Sequence, residues 1–533
     1  MQNLQLLQRV RLVAIVLLIL AVVLRFAHLD RKVYWHDEAY TSLVITARPG
    51  EYFSDELFQH RLVSPDDVLA YQRFSPDLSL TDMLVRKGTQ DAQHPPIYYL
   101  LLRFWAQLWG TTPAVTRGFS ALLSLLIFPA VYWLCLELFE SRLSGWVAIA
   151  LFAVSPFHLV YGQEAREFGF WTVLALVSSA LLLRAMRWST WRSWVWYGLS
   201  MVGAFYTGLF SIGIAAGHVA YVLLVDSGNR LRLPWRLGQR TWFCLTTLLA
   251  VALLFAPWMY FILAGRTAVG GTTSWSSVSL PLLISMQVTV LNFSRSFFDV
   301  NAGLRYPLIY AVALPILALQ GYAVYVCRAA PKRVGWFVLT FGGCTALMLG
   351  LPDLLFGGQR FTVTRYLIAC VVSLELAVVY LLSTYFTATQ RWKSRFAMGA
   401  FSLLIALGVL SGGVYIKANT WWNKVLSTNY HQVAGVINGS DRPLVIADAY
   451  SYYPVSVISL SYLLSPEVRL LLLPPVGDPP SAVELPTEAQ TVFLFNLPEG
   501  FRQRLGSEYQ RDFTLTFQDP WNQIWQSNAP SVL

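Results

Sequence analysis

Residues 12–24 read Leu-Val-Ala-Ile-Val-Leu-Leu-Ile-Leu-Ala-Val-Val-Leu, without one polar side chain. Runs of this kind recur along most of the chain. About 20 consecutive apolar residues cross a bilayer as a helix. Only a helix or a closed barrel satisfies every backbone N–H and C=O where no water is present. The 533 residues are 56% hydrophobic and 13% charged, whereas soluble domains carry roughly 25% charge. The sequence therefore predicts an α-helical polytopic membrane protein. Spans are expected near 10–27, 114–137, 144–161, 168–187, 191–206, 208–225, 241–264, 303–327, 334–351, 366–388 and 397–416. The fifth and sixth of these eleven are joined by little more than Tyr206-Thr207-Gly208 and read as a broken or shallow pair. A charged loop follows the first segment with no Ala-x-Ala-like site, so it reads as a span and not as a cleaved signal peptide.

The basic residues are distributed unevenly. If the N-terminus is inside, the inner segments hold Arg9, Arg11, Arg142, Arg184, Arg187, Arg192, Arg230, Arg232, Arg236, Arg240, Arg328, Lys332, Arg333, Arg391, Lys393 and Arg395. The later outer connections hold only Arg166, Arg266, Arg295, Arg305, Arg360 and Arg365. This bias predicts a cytoplasmic N-terminus and an outer C-terminal region. It also accounts for the net charge of +10 without a nucleic-acid partner. The five cysteines all fall in apolar segments and read as core or lipid-facing residues, not as a disulfide framework.

Two further regions complete the expected organisation. Residues 1–416 form the transmembrane part, with a long outer loop at 28–113. Within that loop, Ile97 to Trp105 is apolar enough to be a twelfth span. Counting it would place two arginine clusters outside, so it reads as a helix lying in the interface, with proline at its first turn. Residues 417–533 change character. Charge and proline rise, and short β-type runs appear at Leu444–Ala447, Val468–Leu473 and Thr491–Phe495. This predicts a small C-terminal soluble α/β domain with a mainly parallel sheet. No Gly-x-Gly-x-x-Gly or Walker A pattern occurs in the chain.

Four polar groups share the predicted outer face. Asp37-Glu38 follows the first span, within Trp35-His36-Asp37-Glu38. His94 precedes Pro95-Pro96. Gln163-Glu164-Ala165-Arg166-Glu167 lies between the third and fourth spans. Gln359-Arg360 and Thr364-Arg365-Tyr366 open the tenth. Each has a plainer reading. An acid at a span end is usually a solvated interfacial residue, Glu164–Arg166–Glu167 makes a surface ion cluster, His94 starts a helix, and Arg365 with Tyr366 anchors an interface. Glu375 lies inside the tenth span, and His158 and His218 sit on apolar faces as structural residues. Taken together, the four groups suit one chemistry. Moving a sugar from a lipid phosphate to a hydroxyl needs a carboxylate base for the acceptor. It needs held cations for the departing phosphate. A nearby acid stabilises an oxocarbenium-like sugar.

The motif order resembles the GT-C superfamily of membrane glycosyltransferases, in the branch of protein O-mannosyltransferases and the lipid A aminoarabinose transferase. The matching features are Asp37-Glu38, His94-Pro-Pro-x-Tyr-Tyr99, Ser155-Pro-x-His158 leading to Gln163-Glu-Ala-Arg166, and Arg365-Tyr-Leu367. They cover roughly residues 10–416. The resemblance implies about 11 transmembrane helices plus interfacial helices. It implies an inverting transferase that uses a polyprenyl-phosphate sugar donor and an acceptor lipid, glycan or protein. A bacterial inner membrane is the expected location. By the same resemblance Asp37 is the base, Glu164 a second acid and Arg166 a phosphate-binding cation. Arg365 and Tyr366 contact the donor, and Glu38, His94 and Arg360 join the substrate-binding set. His94 stands near where the aminoarabinose transferase has a lysine ahead of a proline. Some relatives bind a divalent metal ion at this surface and others need none. His36 and Glu38 are the candidate ligands, without a metal-spacing motif behind them. Nucleotide sugars are cytosolic, so a sugar used on the outer face must arrive attached to lipid.

Two other readings compete. A transporter or flippase of a lipid-linked saccharide would place polar groups near the bilayer midplane in related halves. These acids lie at one face and no internal repeat is visible. A polysaccharide polymerase or ligase would work without the early acid pair.

Overall fold

The computed structural model describes residues 2–226, 238–449, 454–474, 484–486 and 489–528. Arg230, Arg232 and Arg236 lie outside the described residues. Among the described residues eight helices are long and apolar enough to cross a membrane, or nine if one bent pair counts as a single span, which marks an integral membrane protein. The other two of the eleven expected spans are the helices Trp191–Phe205 and Ser211–Asp226, of 15 and 16 residues. Both fall short of the roughly 20 residues a bilayer requires. The helix after His94, Ile97–Trp109, has 13 residues. The chain divides into two compact units: Met1–Ala27, Ala92–Tyr98 and Arg117–Lys417 form the first, and His28–Asp91, Tyr99–Thr116 and Ala418–Leu533 the second.

In the first unit the helices differ in depth. Only 22% of the most apolar window of Leu4–Phe26 is buried, against 83% for Thr364–Phe386. The latter is the centre of the bundle, and the former turns most of its Leu and Val side chains outward. Gly408 marks a close helix approach, since a Cβ there would lie 2.5 Å from the Val154 carbonyl.

The bent pair positions the charged segment. Arg142–Val154 and Pro156–Gln163 meet at 61°. Pro156 has no N–H to give to the preceding turn and keeps Ser155 extended (φ −60°, ψ 117°). Polar bonds fill the break. Ser155 Oγ donates to Glu375 Oε1 at 3.2 Å, and His158 Nε2 lies 2.8 Å from Glu375 Oε2. The His158 ring stacks on Phe152. Glu375 and His158 are thus a buried structural pair, and His218 is held between Ser179 and Tyr197. All five cysteines are free thiols.

The second unit is built on a six-stranded sheet of order β1-β3-β2-β4-β6-β5. Its strands are β1 (Arg61–Val63), β2 (Pro443–Asp448), β3 (Arg469–Leu473), β4 (Thr491–Phe495), β5 (Thr514–Gln518) and β6 (Gln523–Asn528). Strands β2 and β4 are buried along their whole length, as expected of runs covered on both faces. Leu444, Ile446, Val492 and Leu494 pack with Phe501 and Leu505 of the helix Glu499–Tyr509. The sheet is mixed, not mainly parallel. β2 pairs parallel with β3 and β4, while the other three pairings are antiparallel. Two causes account for the difference. β5 and β6 form a hairpin with a short connection, which only antiparallel strands allow, and their sequences are too polar to stand out as strands. The edge strand β1 comes from the early loop, more than 400 residues before its partner β3.

Candidate active site

In the first unit the segment Gln163–Glu167 links the end of the helix Pro156–Gln163 to the start of Phe168–Trp188. Gln163 fixes it in place. Its Nε2 donates to the carbonyls of Leu24, Arg25 and Ala27 at 2.9–3.1 Å, which satisfies orphan acceptors at the end of the first helix. Glu164, Arg166 and Glu167 are each only 2–3% exposed, so this is no surface ion cluster. Arg166 Nε lies 3.3 Å from Glu167 Oε2. His94 Nε2 lies 4.0 Å from Glu167 Oε1 and is about one-third exposed. Gly169 permits the tight entry into the following helix, because a Cβ there would meet the Tyr161 carbonyl at 2.9 Å. Burying such charges is costly unless they are paired or used.

A second cation joins this segment. The Cζ atoms of Arg166 and Arg365 lie 5.7 and 5.8 Å from the centroid of the same ring, Phe168. Two guanidiniums thus share one aromatic platform, within about 12 Å of each other. Arg365 also lies over Trp275 and Tyr366, and Tyr366 packs on Phe210 at 4.2 Å. Like charges gathered in a partly buried place suit an anion with several oxygens, such as a phosphate.

The Arg365 segment is held by Asn292, which is fully buried. Its Oδ1 accepts from Thr364 Oγ1 and from Arg295 Nη1, and its Nδ2 donates to the Thr362 carbonyl, each at 2.6 Å. Arg295 faces Asp299 at 3.8 Å. Burial lowers the Arg295 pKa from its ordinary value, and Asp299 opposes that shift. Arg360 is engaged elsewhere. It bonds Asp353 at 2.7 Å and Ser277 at 2.9 Å, and Asp353 also accepts from the Phe361 N–H.

In the second unit, Asp37 and Glu38 occupy the first turn of the helix His36–Ile45. Acids at this end are favoured by the helix dipole and by unsatisfied N–H groups. The two acids differ. Asp37 is partly exposed. Glu38 is fully buried, and its Oε2 lies 2.9 Å from Lys424 Nζ. The Lys424 ammonium also sits 5.5 Å from the centre of the Trp35 ring. The backbone N–H of His36 donates to Ser427 Oγ at 3.3 Å. A second buried pair, Lys87 and Asp91 at 2.7 Å, places its ammonium 3.5 Å from the centre of the Tyr99 ring.

Among the described residues no group of three or more His, Cys, Asp or Glu side chains is arranged to hold a metal ion. The Glu38 carboxylate faces an ammonium, which repels a divalent cation. Residues that sequence reasoning missed are Lys424, Asn292 and the pairing of Arg295 with Asp299. Lys424 carried a signal. It follows Trp421-Trp422-Asn423, a short way beyond the last span.

No protein-family model and no curated protein matches this sequence. Solved structures do match. ArnT from Cupriavidus metallidurans bound to undecaprenyl phosphate superposes over 97% of this chain and 98% of its own, with a TM-score of 0.51 and 13% identity. This chain has the ArnT fold. The apo form of ArnT agrees, at 0.51 and 12% identity over 96% and 97% of the two chains. An apo oligosaccharyltransferase from Archaeoglobus fulgidus is more distant, at 0.48 and 13% identity, and covers 87% of this chain and 64% of its own. The match to ArnT covers nearly the whole chain, and it bears out the expected fold class of a helical membrane protein with a small α/β part.

Proposed function

We propose that the protein is an inverting glycosyltransferase that moves a sugar from a polyprenyl-phosphate donor to an acceptor hydroxyl or amine on the outer face of the membrane. The observation that carries this reading is the pair of guanidiniums on one ring, the buried Arg166 and the partly buried Arg365, beside Glu164 and Glu167. ArnT, whose fold this is, has been seen with undecaprenyl phosphate, a ligand of the same charge and lipid class. In the proposed reaction the acceptor attacks the anomeric carbon from the face opposite the phosphate. The bond from carbon to phosphate oxygen breaks, the new bond forms with inversion, and the acceptor proton passes to Asp37. Polyprenyl phosphate leaves with the bonding pair, and Arg166 and Arg365 take up its charge. Glu164 stabilises the positive sugar in between. Tyr366, His94 and Glu38 complete the substrate-binding set.

Arg360 belongs to this set by its motif alone, because its geometry serves the Asp353 loop. The outer-face assignment rests on the basic residues of the inner segments. The two short helices change nothing in it, since counting both or neither leaves every later segment on the same side.

The test is transfer in proteoliposomes from a synthetic polyprenyl-phosphate sugar, with free polyprenyl phosphate as the readout. Release that depends on acceptor and vanishes in Asp37→Asn supports the reading. Movement of intact lipid-linked sugar between leaflets without cleavage would instead favour the flippase alternative.

A further inference from the structure

The first unit has a cleft of about 620 Å³ between the first three turns of Leu4–Phe26 and the helix Arg391–Lys417. Its floor is apolar, with Val13, Phe401 and Ile405, and its polar lining is Gln5, Arg9 and Ser402. Among the described residues these three polar side chains have no hydrogen-bond, ion-pair or ring partner. Ser402 is telling. Serines in the interior of apolar helices usually bond back to the carbonyl four residues earlier, as Ser411 does to Leu407 and Ser383 to Val379 here. Ser402 makes no such bond.

Charge narrows what fits. Residues 1–27 and 386–405 contain no Asp or Glu, but they contain Arg9, Arg11, Arg391, Lys393 and Arg395 near this end of the two helices. Lys393 is spent over Tyr385 and Trp392, and Arg11 over Trp146. Arg9 is not. It lies five residues into the span, a depth of about 8 Å at 1.5 Å per residue. That is the depth of the headgroup layer, where a bilayer of ~40–45 Å exceeds its ~30 Å hydrocarbon core by several ångströms a side. Basic pockets between transmembrane helices bind anionic headgroups by this arrangement.

We propose that this cleft is a binding site for an anionic diacyl phospholipid. The phosphate sits on Arg9, Gln5 and Ser402 bond its remaining oxygens, and an acyl chain lies along Val13, Phe401 and Ile405. The site lies at the opposite end of the first helix from the Gln163 contacts, and it stands whether or not the transferase reading does.

The experiment is native mass spectrometry of the full-length protein in detergent, titrated with phosphatidylglycerol, with phosphatidylcholine of the same acyl chains, and with polyprenyl phosphate. Wild type should retain one phosphatidylglycerol about five-fold more strongly than phosphatidylcholine, the preference one cation near the membrane surface confers on an anionic lipid. R9Q should reduce that preference to none, R9K should keep most of it, and R11Q should leave it unchanged. V13W fills the floor without removing charge, and it should lose the bound lipid even if R9Q fails to fold. Equal retention of the two phospholipids by wild type would overturn the proposal. So would an undiminished preference in both R9Q and V13W, or stronger retention of polyprenyl phosphate than of phosphatidylglycerol at this site.

Discussion

Each of the two units holds a buried acidic turn, and the two turns are neutralised in opposite ways. In the first unit, Glu167 has its cation next to it in the chain, Arg166. In the second unit, Glu38 depends on Lys424, 386 residues away. The first kind of pairing is visible in a sequence and the second is not. The difference has a physical consequence. Arg166 and Glu167 stay near each other through their shared backbone, so Arg166 can respond to a ligand without leaving its acid stranded. Glu38 and Lys424 are joined only through the folded structure, and each relies on the other to stay buried.

The comparison makes its largest prediction for the one acid that is partly open. Asp37→Asn should lower transfer by about 10²- to 10⁴-fold, the usual contribution of a general base. The folded protein should keep its melting temperature. Full activity in this variant would remove Asp37 from the mechanism.

Next in size is the remote pair. Lys424→Ala should destabilise the second unit by about 3–5 kcal/mol, because it leaves a buried carboxylate without its ammonium. The double variant Glu38→Gln/Lys424→Met should recover much of that loss in thermal unfolding. If the single variant melts like wild type, the contrast between the two turns fails.

Arg166→Ala and Asn292→Ala sharpen the comparison from the other side. The first should raise KM for the lipid-linked donor by about 10-fold or more and leave KM for the acceptor unchanged, as expected when one charge-assisted contact is lost. The second leaves Arg295, Thr364 and Thr362 each short of a partner and should cost about 1–3 kcal/mol. It should also weaken donor binding through Arg365, which sits in the segment Asn292 holds. An unchanged donor KM in both variants would detach the guanidinium pair from the phosphate.

The smallest effect is a helix cap in the second unit. Ser64 and Asp67 cap the helix Pro65–Ala70 reciprocally. Hydrogen bonds from Ser64 hold the Asp67 carboxyl below its ordinary range. A carboxyl depressed by folding stabilises the folded state at pH above its unfolded value, near 4. That contribution disappears as pH falls through the folded value. Ser64→Ala should therefore cost about 1 kcal/mol at neutral pH and less at an acid pH where the Asp67 carboxyl is protonated. Melting curves at the two pH values check the sign.

Much of this was legible in advance. Long apolar runs exposed the spans because lipid tolerates only helices with satisfied backbones. The break at Ser155 was not read from the sequence, where 144–161 stood as one span, although Pro156 cannot continue the preceding helix. The run Gln163–Glu167 stood out as a charged island between two apolar helices. What stayed hidden follows a rule as well. Strands β5 and β6 are half-exposed and polar, and β1 is three residues long, so none offers a hydrophobic signature. The sharing of the Phe168 ring by Arg166 and Arg365 left no trace in the sequence, since it depends on how two distant helix starts meet.

The sequence by itself determined what local chemistry dictates: membrane helices, and which charged residues lie at helix ends. Tertiary structure alone decided which distant groups neutralise one another. It joined Glu38 to Lys424, tied the Arg365 segment to Asn292, and drew β1 into a sheet with strands from the far end of the chain. A helix needs only its own residues to satisfy its backbone. A buried charge needs a partner from wherever the fold supplies one.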